Sequence, residues 1–479
     1  MLSPMLAAAL AVSVPAAGRA APDRELVVLI LIDALRADRV GVYGYAKPTT
    51  PVLDALATMG TRYTRAYVNA PWTRASVASF FTGLNASRHR TETEKSKLPE
   101  GMRTMTRRLG EAGWKTTGFS ANGNGGSLAN LDEGYDLFED PTNTYKRTET
   151  RKRCHKKYGK TVPPERLREA ILEDCKRYIG LPTGEFIVHR ALRHLKTSRA
   201  KKEFLFLFLV DPHDKSFTYF APPRLEKQFV GRAVGTKRPR VLWEKDNQYS
   251  AEHRATVMGI YDAGIRYSDE ALGQFLEGLE TLGLRDQTTL FVTADHGEGF
   301  GEHDFYLHAH HFWEEVIHVP LIAAGPRFKA RVDDRLTQAI DVSATILDIA
   351  GAKTDGIQGF SLLKPQRKNA HVISEYNEFG IHRQAIIGEL YKVIWQRAAD
   401  EAWYMRSFSD KFTPEEKKAF FPSVTFDTER VRVFGLKDDP KEKNDLSEKM
   451  PAEAARLLET LREFVAASDA LAANMRSGP

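Results

Sequence analysis

The chain has 479 residues, 42% of them hydrophobic and 28% charged, enough to bury one large core or a large and a small one. Intrinsic disorder, a collagen repeat and a small disulfide-stapled scaffold are thereby excluded. Its 69 Lys and Arg against 63 Asp and Glu leave a formal charge of +6, mild for this length, so nucleic acid is not an expected partner.

Residues 1–20 are apolar and close on Ala16-Ala17-Gly18-Arg19-Ala20, the pattern of a cleavable signal peptide without its usual Lys/Arg start. Export to the periplasm or the exterior is the corresponding expectation. No later run reaches the roughly 18–20 apolar residues of a membrane helix.

Leu26 to Ile32 is an unbroken aliphatic run closed by Asp33, which predicts a strand buried on both faces of a sheet. Thr50 to Met59 has helical spacing. Asn69 to Leu84 begins as a loop and passes through Thr73-Arg74-Ala75-Ser76-Val77 into a helix, placing small hydroxyls at its start. A further helical pattern covers Met102 to Ala112, followed by Gly113-Trp114-Lys115-Thr116 and then Ser120, Asn122 and Asn124.

A basic stretch over 145–177 reads either as a solvated excursion or as an electropositive rim for an anionic ligand. It holds both cysteines, Cys154 and Cys175, whose spacing fits no common zinc motif and which could form one disulfide.

Phe204 to Val210 is a second buried-strand run, ending in Asp211-Pro212-His213, and Thr256 to Leu282 is helical. A third run, Thr289 to Thr293, ends in Ala294-Asp295-His296-Gly297 and leads into Glu298-Gly299-Phe300-Gly301-Glu302-His303, with His308, His310 and His311 beyond. From about Lys364 the texture changes to short alternating runs, His371 to Glu375, Tyr391 to Gln396 and Val431 to Phe434, before a helical stretch from Ala452 to Leu471. The expected layout is a large α/β domain over 25–363 and a small C-terminal α+β subdomain over 364–479.

Three strands thus deliver polar side chains at their carboxyl ends, where open α/β sheets bind ligands. Asp33, Asp295 and His296 are ligand types suited to one divalent cation with open positions, and the glycines that follow allow a backbone to turn closely around it. A hydroxyl at a helix start beside such a cation can be made nucleophilic.

With these motifs in hand, the chain resembles the sulfatase family of the alkaline phosphatase superfamily. The likeness rests on Leu-Ile-Asp33-Ala-Leu-Arg-Ala-Asp38, Lys47-Pro-Thr-Thr-Pro, the helix from Thr73 to Phe-Thr-Gly-Leu, Asp211-Pro-His213, Thr293-Ala-Asp295-His296-Gly-Glu and Glu314-Glu315-Val-Ile-His-Val-Pro-Leu-Ile. It implies an alkaline phosphatase-like fold: a doubly wound mixed sheet with helices on both faces.

Carried over by position, the resemblance implies Asp33, Asp295 and His296 as metal ligands and Thr73 as nucleophile and further ligand. His213 falls where the family contacts the bridging oxygen of the ester. His308 or His310 falls near its general acid, Asn122 near its ester contacts, and Arg74 is a candidate for a missing positive contact. The family's second N-terminal aspartate is Ala34 here, and the arginine that would brace the nucleophile is Val77. Calcium, magnesium and manganese all remain open as the cation.

The departure at Thr73 matters most. Sulfatases carry Cys or Ser there, which is converted to formylglycine; Thr cannot be oxidised to that aldehyde, so no formylglycine is expected. A phosphothreonine can be released by water, whereas a threonine sulfate has no aldehyde to drive its release. The expectation is therefore a metal-dependent hydrolase of a phosphorus ester, its substrate an anionic small molecule or glycan ester. A sulfuric ester hydrolase and a silent homologue that binds anionic glycans are the alternatives, and Ser76 is the reserve hydroxyl.

Overall fold

The computed structural model describes residues 24–141, 183–215, 218–235, 239, 241, 249–364, 369–407, 413–415, 417 and 423–476. The expected signal peptide, the basic stretch and both cysteines lie outside these residues.

The three apolar runs form the centre of one large sheet. β1 (Glu25–Ile32) is flanked on both sides by parallel partners, β5 (Lys202–Leu209) and β6 (Thr288–Thr293). Beyond β5 lie β3 (Lys115–Ser120) and β4 (Leu137–Glu139), also parallel. Beyond β6 the direction reverses: β9 (His318–Ala324) runs antiparallel to both β6 and β2 (Thr61–Tyr67). Short strands β10 (Arg331–Asp333) and β11 (Thr337–Gln338) pair with β2 to complete a nine-stranded sheet.

Alternation along β1 and β5 divides the core. Val28, Ile30, Leu205 and Leu207 enter one apolar layer, while Leu29, Leu31, Phe206 and Phe208 enter the other, all with no exposed area. Each such side chain contributes roughly 1.5–3 kcal/mol of transfer free energy, which is why these strands contain almost no polar residue until they end. Helices cover both layers. Residues Gly184–Thr197 and the 31-residue helix Ala251–Thr281 pack on the first, and Thr73–Thr82 with Ala339–Ala350 on the second.

The C-terminal runs form a second, antiparallel sheet: β12 (Val372–Glu378), β13 (Ile381–Ile387), β14 (Tyr391–Gln396) and β15 (Arg430–Gly435), in that order. One face packs under the helix Ala452–Arg476 through Ile386, Val393 and Leu461, and the other joins the large core through Val372, Ile381 and Ala385. The expected α/β architecture with a small α+β portion is the one observed. Among the described residues no helix is long and apolar enough to cross a membrane.

Candidate active site

Because β1, β3, β5 and β6 are parallel, their carboxyl ends open on one edge, and the register aligns Leu31 with both Phe208 and Thr293. The next residues along each strand therefore meet. Asp33 follows β1, Asp295 and His296 follow β6, His213 follows β5 and Asn122 follows β3.

Asp33, Asp295 and His296 are fully buried, and their ligand-type atoms lie within 4.8 Å of one another. His296 Nε2 stands 3.5 Å from Asp33 Oδ1 and 3.4 Å from Asp295 Oδ2. Those two carboxylate oxygens have no hydrogen-bond partner. Their companions are used: Asn122 Nδ2 donates to Asp33 Oδ2 at 2.8 Å, and the amides of Ala34 and His296 donate to Asp295 Oδ1 at 3.3 and 3.1 Å. The His296 ring donates Nδ1–H to the Gly297 carbonyl at 2.8 Å, leaving the Nε2 lone pair facing the carboxylates.

Two buried carboxylates turning unsatisfied oxygens toward a histidine lone pair fit a hard or intermediate divalent cation. The electrostatics agree, because burial and then the neighbouring Asp33 push the proton affinity of Asp295 well above the ordinary carboxylate range. Burial, then His308, holds the His296 ring well below its usual value, as a ligand requires.

Thr73 opens its helix on the same edge. Its Oγ1 lies 3.2 Å from His296 Nε2, and the N-cap position is taken by Trp72, so the threonine hydroxyl is not spent on capping. Ser76 is buried one turn further on, its Oγ without a hydrogen-bond partner.

His213 donates Nδ1–H to the Asp214 carbonyl at 2.6 Å and turns Nε2 toward Asp33, 4.0 Å from Oδ1. Burial pushes this ring down, but Asp33, Asp214 and Glu298 outweigh it and carry it up to about 10. His308 lies between the other two histidines, stacked on His296 with centroids 4.1 Å apart and edge-on to His213 at 5.0 Å. Its Nδ1 is 3.0 Å from Glu298 Oε1, and burial, then His213, lowers its ring to about 3. Glu298 itself is pushed up to about 8 by burial and then by Asp214.

The expected residues divide accordingly. Thr73, Asp33, Asp295, His296, His213 and His308 converge. Asn122 joins them through a metal-ligand carboxylate, with its Oδ1 accepting from the amide of Asn124. His310 turns away, its ring packed against Phe305 and Tyr376 with centroids 5.5 and 5.9 Å apart. His303 stacks on Trp313 at 3.9 Å. The Arg74 guanidinium is bound to the Ser96 carbonyl at 2.8 Å and to Asn124 Oδ1 at 2.7 Å, which ties the start of the helix to the Asn122 loop.

Backbone strain marks the same places. Ala34, after the first ligand, sits at φ 60°, and Leu307 and Ala309, on either side of His308, sit at 69° and 101°. Such conformations cost of order 1–3 kcal/mol each for a residue with a side chain and persist only where surroundings fix them. Tyr261, on the long helix, does this for Ala34: its hydroxyl donates to the Ala34 carbonyl at 2.6 Å and accepts from the Arg36 amide at 3.1 Å. Ala309 donates its amide to the Pro71 carbonyl at 3.0 Å, joining the His308 turn to the loop that enters the Thr73 helix. Gly297 is required for closeness, since a Cβ there would lie 2.0 Å from the Glu315 carbonyl oxygen.

Tyr261 was not foreseeable from spacing, because nothing local distinguishes it from its buried neighbours on the helix. Tyr261→Phe is expected to cost about 1–3 kcal/mol in urea unfolding, because two buried backbone groups lose their partner. An unchanged midpoint would mean that Ala34 keeps its conformation without it.

Comparison with known proteins agrees with this geometry. The sulfatase family model matches residues 25–352. The chain belongs to the sulfatase family. It is 24% identical over 457 residues to an arylsulfatase of Clostridium perfringens, covering 88% of this chain and 89% of that one. A Delta 4,5-hexuronate-2-O-sulfatase of Bacteroides thetaiotaomicron is 24% identical over 74% of this chain and 76% of its own. Among solved structures, a phosphonate monoester hydrolase of Agrobacterium radiobacter superposes with a TM-score of 0.68 at 18% identity, covering 94% and 96% of the two chains. A protein solved in complex with its substrate D-glucosamine-2-N,6-O-disulfate gives 0.68 at 16%, covering 93% and 98%. The chain is accordingly an ester-hydrolysing enzyme of this family, with a candidate divalent-metal centre.

Proposed function

We propose that this sulfatase-family enzyme hydrolyses a phosphonate or phosphate ester through an unmodified threonine, Thr73. The observation that carries the reading is Thr73 Oγ1 itself: buried, free of capping duty, and 3.2 Å from His296 Nε2 at the edge of the Asp33–Asp295 pair. A threonine cannot become formylglycine, and Val77 replaces the arginine that would brace one. A phosphorus ester on Thr73 is open to attack by water; a sulfate ester there lacks the aldehyde hydrate whose collapse releases sulfate.

Asp33, Asp295 and His296, with Thr73 beside them, are the residues that would hold calcium, magnesium or manganese. The bound cation supplies positive charge that favours the threonine alkoxide and a non-bridging ester oxygen. The remaining work falls to the chain. Asn122 orients Asp33 through the Nδ2 hydrogen bond, and His213 turns its Nε2 toward the same carboxylate. Thr73 releases its proton to solvent as its Oγ–P bond forms, and the water that breaks that bond returns one proton to Oγ1. His308 faces the departing oxygen. An anionic small molecule or glycan ester is the substrate class.

Sulfate-ester hydrolysis is the second reading, favoured by the names of the relatives above. Assays of aryl phosphonate monoester, phosphate diester, phosphate monoester and aryl sulfate, each with calcium, magnesium or manganese, separate the two. Phosphorus esters are expected to be turned over with the higher kcat/KM. Preference for the sulfate would reverse the assignment, and silence on all four would favour a binding protein for anionic glycans.

A further inference from the structure

We propose that Glu298 is a positioning residue for departure of the leaving group: it engages Nδ1 of His308, so that Nε2 is the ring nitrogen presented to the departing oxygen. This rests on the hydrolase reading above.

Glu298 has no exposed area, and its Oε1 lies 3.0 Å from His308 Nδ1. Its main chain is held at both ends, the amide donating to the Glu315 carbonyl at 2.9 Å and the carbonyl accepting from Arg36 Nη1 at 3.0 Å. The main chain from which the carboxylate reaches His308 is therefore held in place. His308 is brought to it on strained backbone, between Leu307 at φ 69° and Ala309 at 101°, and is braced by the stacked ring of His296. Strain on both sides of one side chain is the kind a fold keeps where orientation matters. A carboxylate on one imidazole nitrogen fixes tautomer and rotation and leaves the other nitrogen for the reaction.

The proton count closes. As the bond to the leaving oxygen breaks, its electron pair stays on that oxygen and takes the proton from Nε2. The proton shared between Glu298 and Nδ1 ends on Nδ1, leaving a neutral ring and an ionised carboxylate. The water that cleaves the threonine ester gives its oxygen to phosphorus and a proton back to Nε2.

The test uses the full-length enzyme and esters whose leaving groups run from 4-nitrophenol through phenol to a simple alcohol, on phosphonate and on sulfate. Glu298→Gln keeps size and a hydrogen-bonding carbonyl but cannot share the proton. It is expected to stay within about threefold of wild type on the 4-nitrophenyl ester and to fall roughly 10²-fold on the alkyl ester. His308→Ala should show the same pattern, and the double variant should be no slower than His308→Ala alone. An equal loss across the series, with or without a lower melting temperature, would overturn the proposal, as would an additive double variant.

Asp214, Glu298 and His308 also offer ligand-type atoms within 4.8 Å of one another, so cations per chain are counted in parallel. Loss of a bound cation in Glu298→Gln would make Glu298 a ligand and overturn its positioning role. A wild type silent on every ester would overturn the hydrolase reading, and this proposal with it, whereas an active wild type with an unchanged leaving-group slope in Glu298→Gln would overturn this proposal alone.

Discussion

Thr73→Ala is expected to lower kcat/KM on a phosphorus ester by at least about 10³-fold while leaving the melting temperature within about 2–4 °C of wild type. The separation follows from where the hydroxyl sits. Trp72 occupies the N-cap and Gly83 closes the helix in the left-handed region, so the ends of the helix do not depend on the threonine oxygen. Its loss removes one hydrogen bond to His296 Nε2, worth about 1 kcal/mol net, and with it the hydroxyl held against the Asp33–Asp295–His296 group. Thr73→Ser keeps the oxygen and should keep most of the rate. Full activity in Thr73→Ala, measured by steady-state kinetics, would move the nucleophile elsewhere, with Ser76 the next hydroxyl on the helix.

Asp295→Asn is the second large effect, and it separates metal binding from folding. In wild type stripped by chelator, Asp33 and Asp295 confront each other as buried carboxylates with unsatisfied oxygens. Returning the cation should raise the melting temperature, by the equivalent of about 2.7 kcal/mol at a hundredfold excess over its Kd. The asparagine removes one ligand charge and the like-charge repulsion together. The stripped variant is therefore expected to melt no lower than stripped wild type, to show little cation-dependent rise, and to lose at least about 10²-fold in turnover. Thermal melts with and without calcium, magnesium and manganese decide this, and a full cation-dependent rise in Asp295→Asn would place the metal elsewhere.

What the sequence made legible followed periodicity and strand ends. Leu26 to Ile32, Phe204 to Val210 and Thr289 to Thr293 are strands within two residues of their observed limits, because a strand buried on both faces has no polar position to blur it. Their closing residues, Asp33, His213, Asp295 and His296, meet because parallel strands share one carboxyl edge. The reversal at β9 and the strand Ile381–Ile387 were not legible, since direction and pairing depend on partners far along the chain. Among the histidines after the metal pair, spacing could not separate His308 from His310. The choice is made by backbone on either side of His308 at positive φ, which no local pattern announces for Leu307 and Ala309. Glu298 stood in the quoted Asp-His-Gly-Glu run, but its contact with His308 is made through a hairpin, β7 (Gly299–Phe300) with β8 (Tyr306–Leu307), that only the fold supplies.

The central claim is a covalent ester on an unmodified Thr73. Rapid quench of the enzyme during turnover of an aryl phosphonate, followed by peptide mass mapping, tests it most directly. The account predicts a threonine of unaltered mass at position 73 in the resting enzyme and a phosphonyl adduct on that same residue in the quenched sample. Turnover with Thr73 unmodified throughout, or an adduct on another residue, would contradict it.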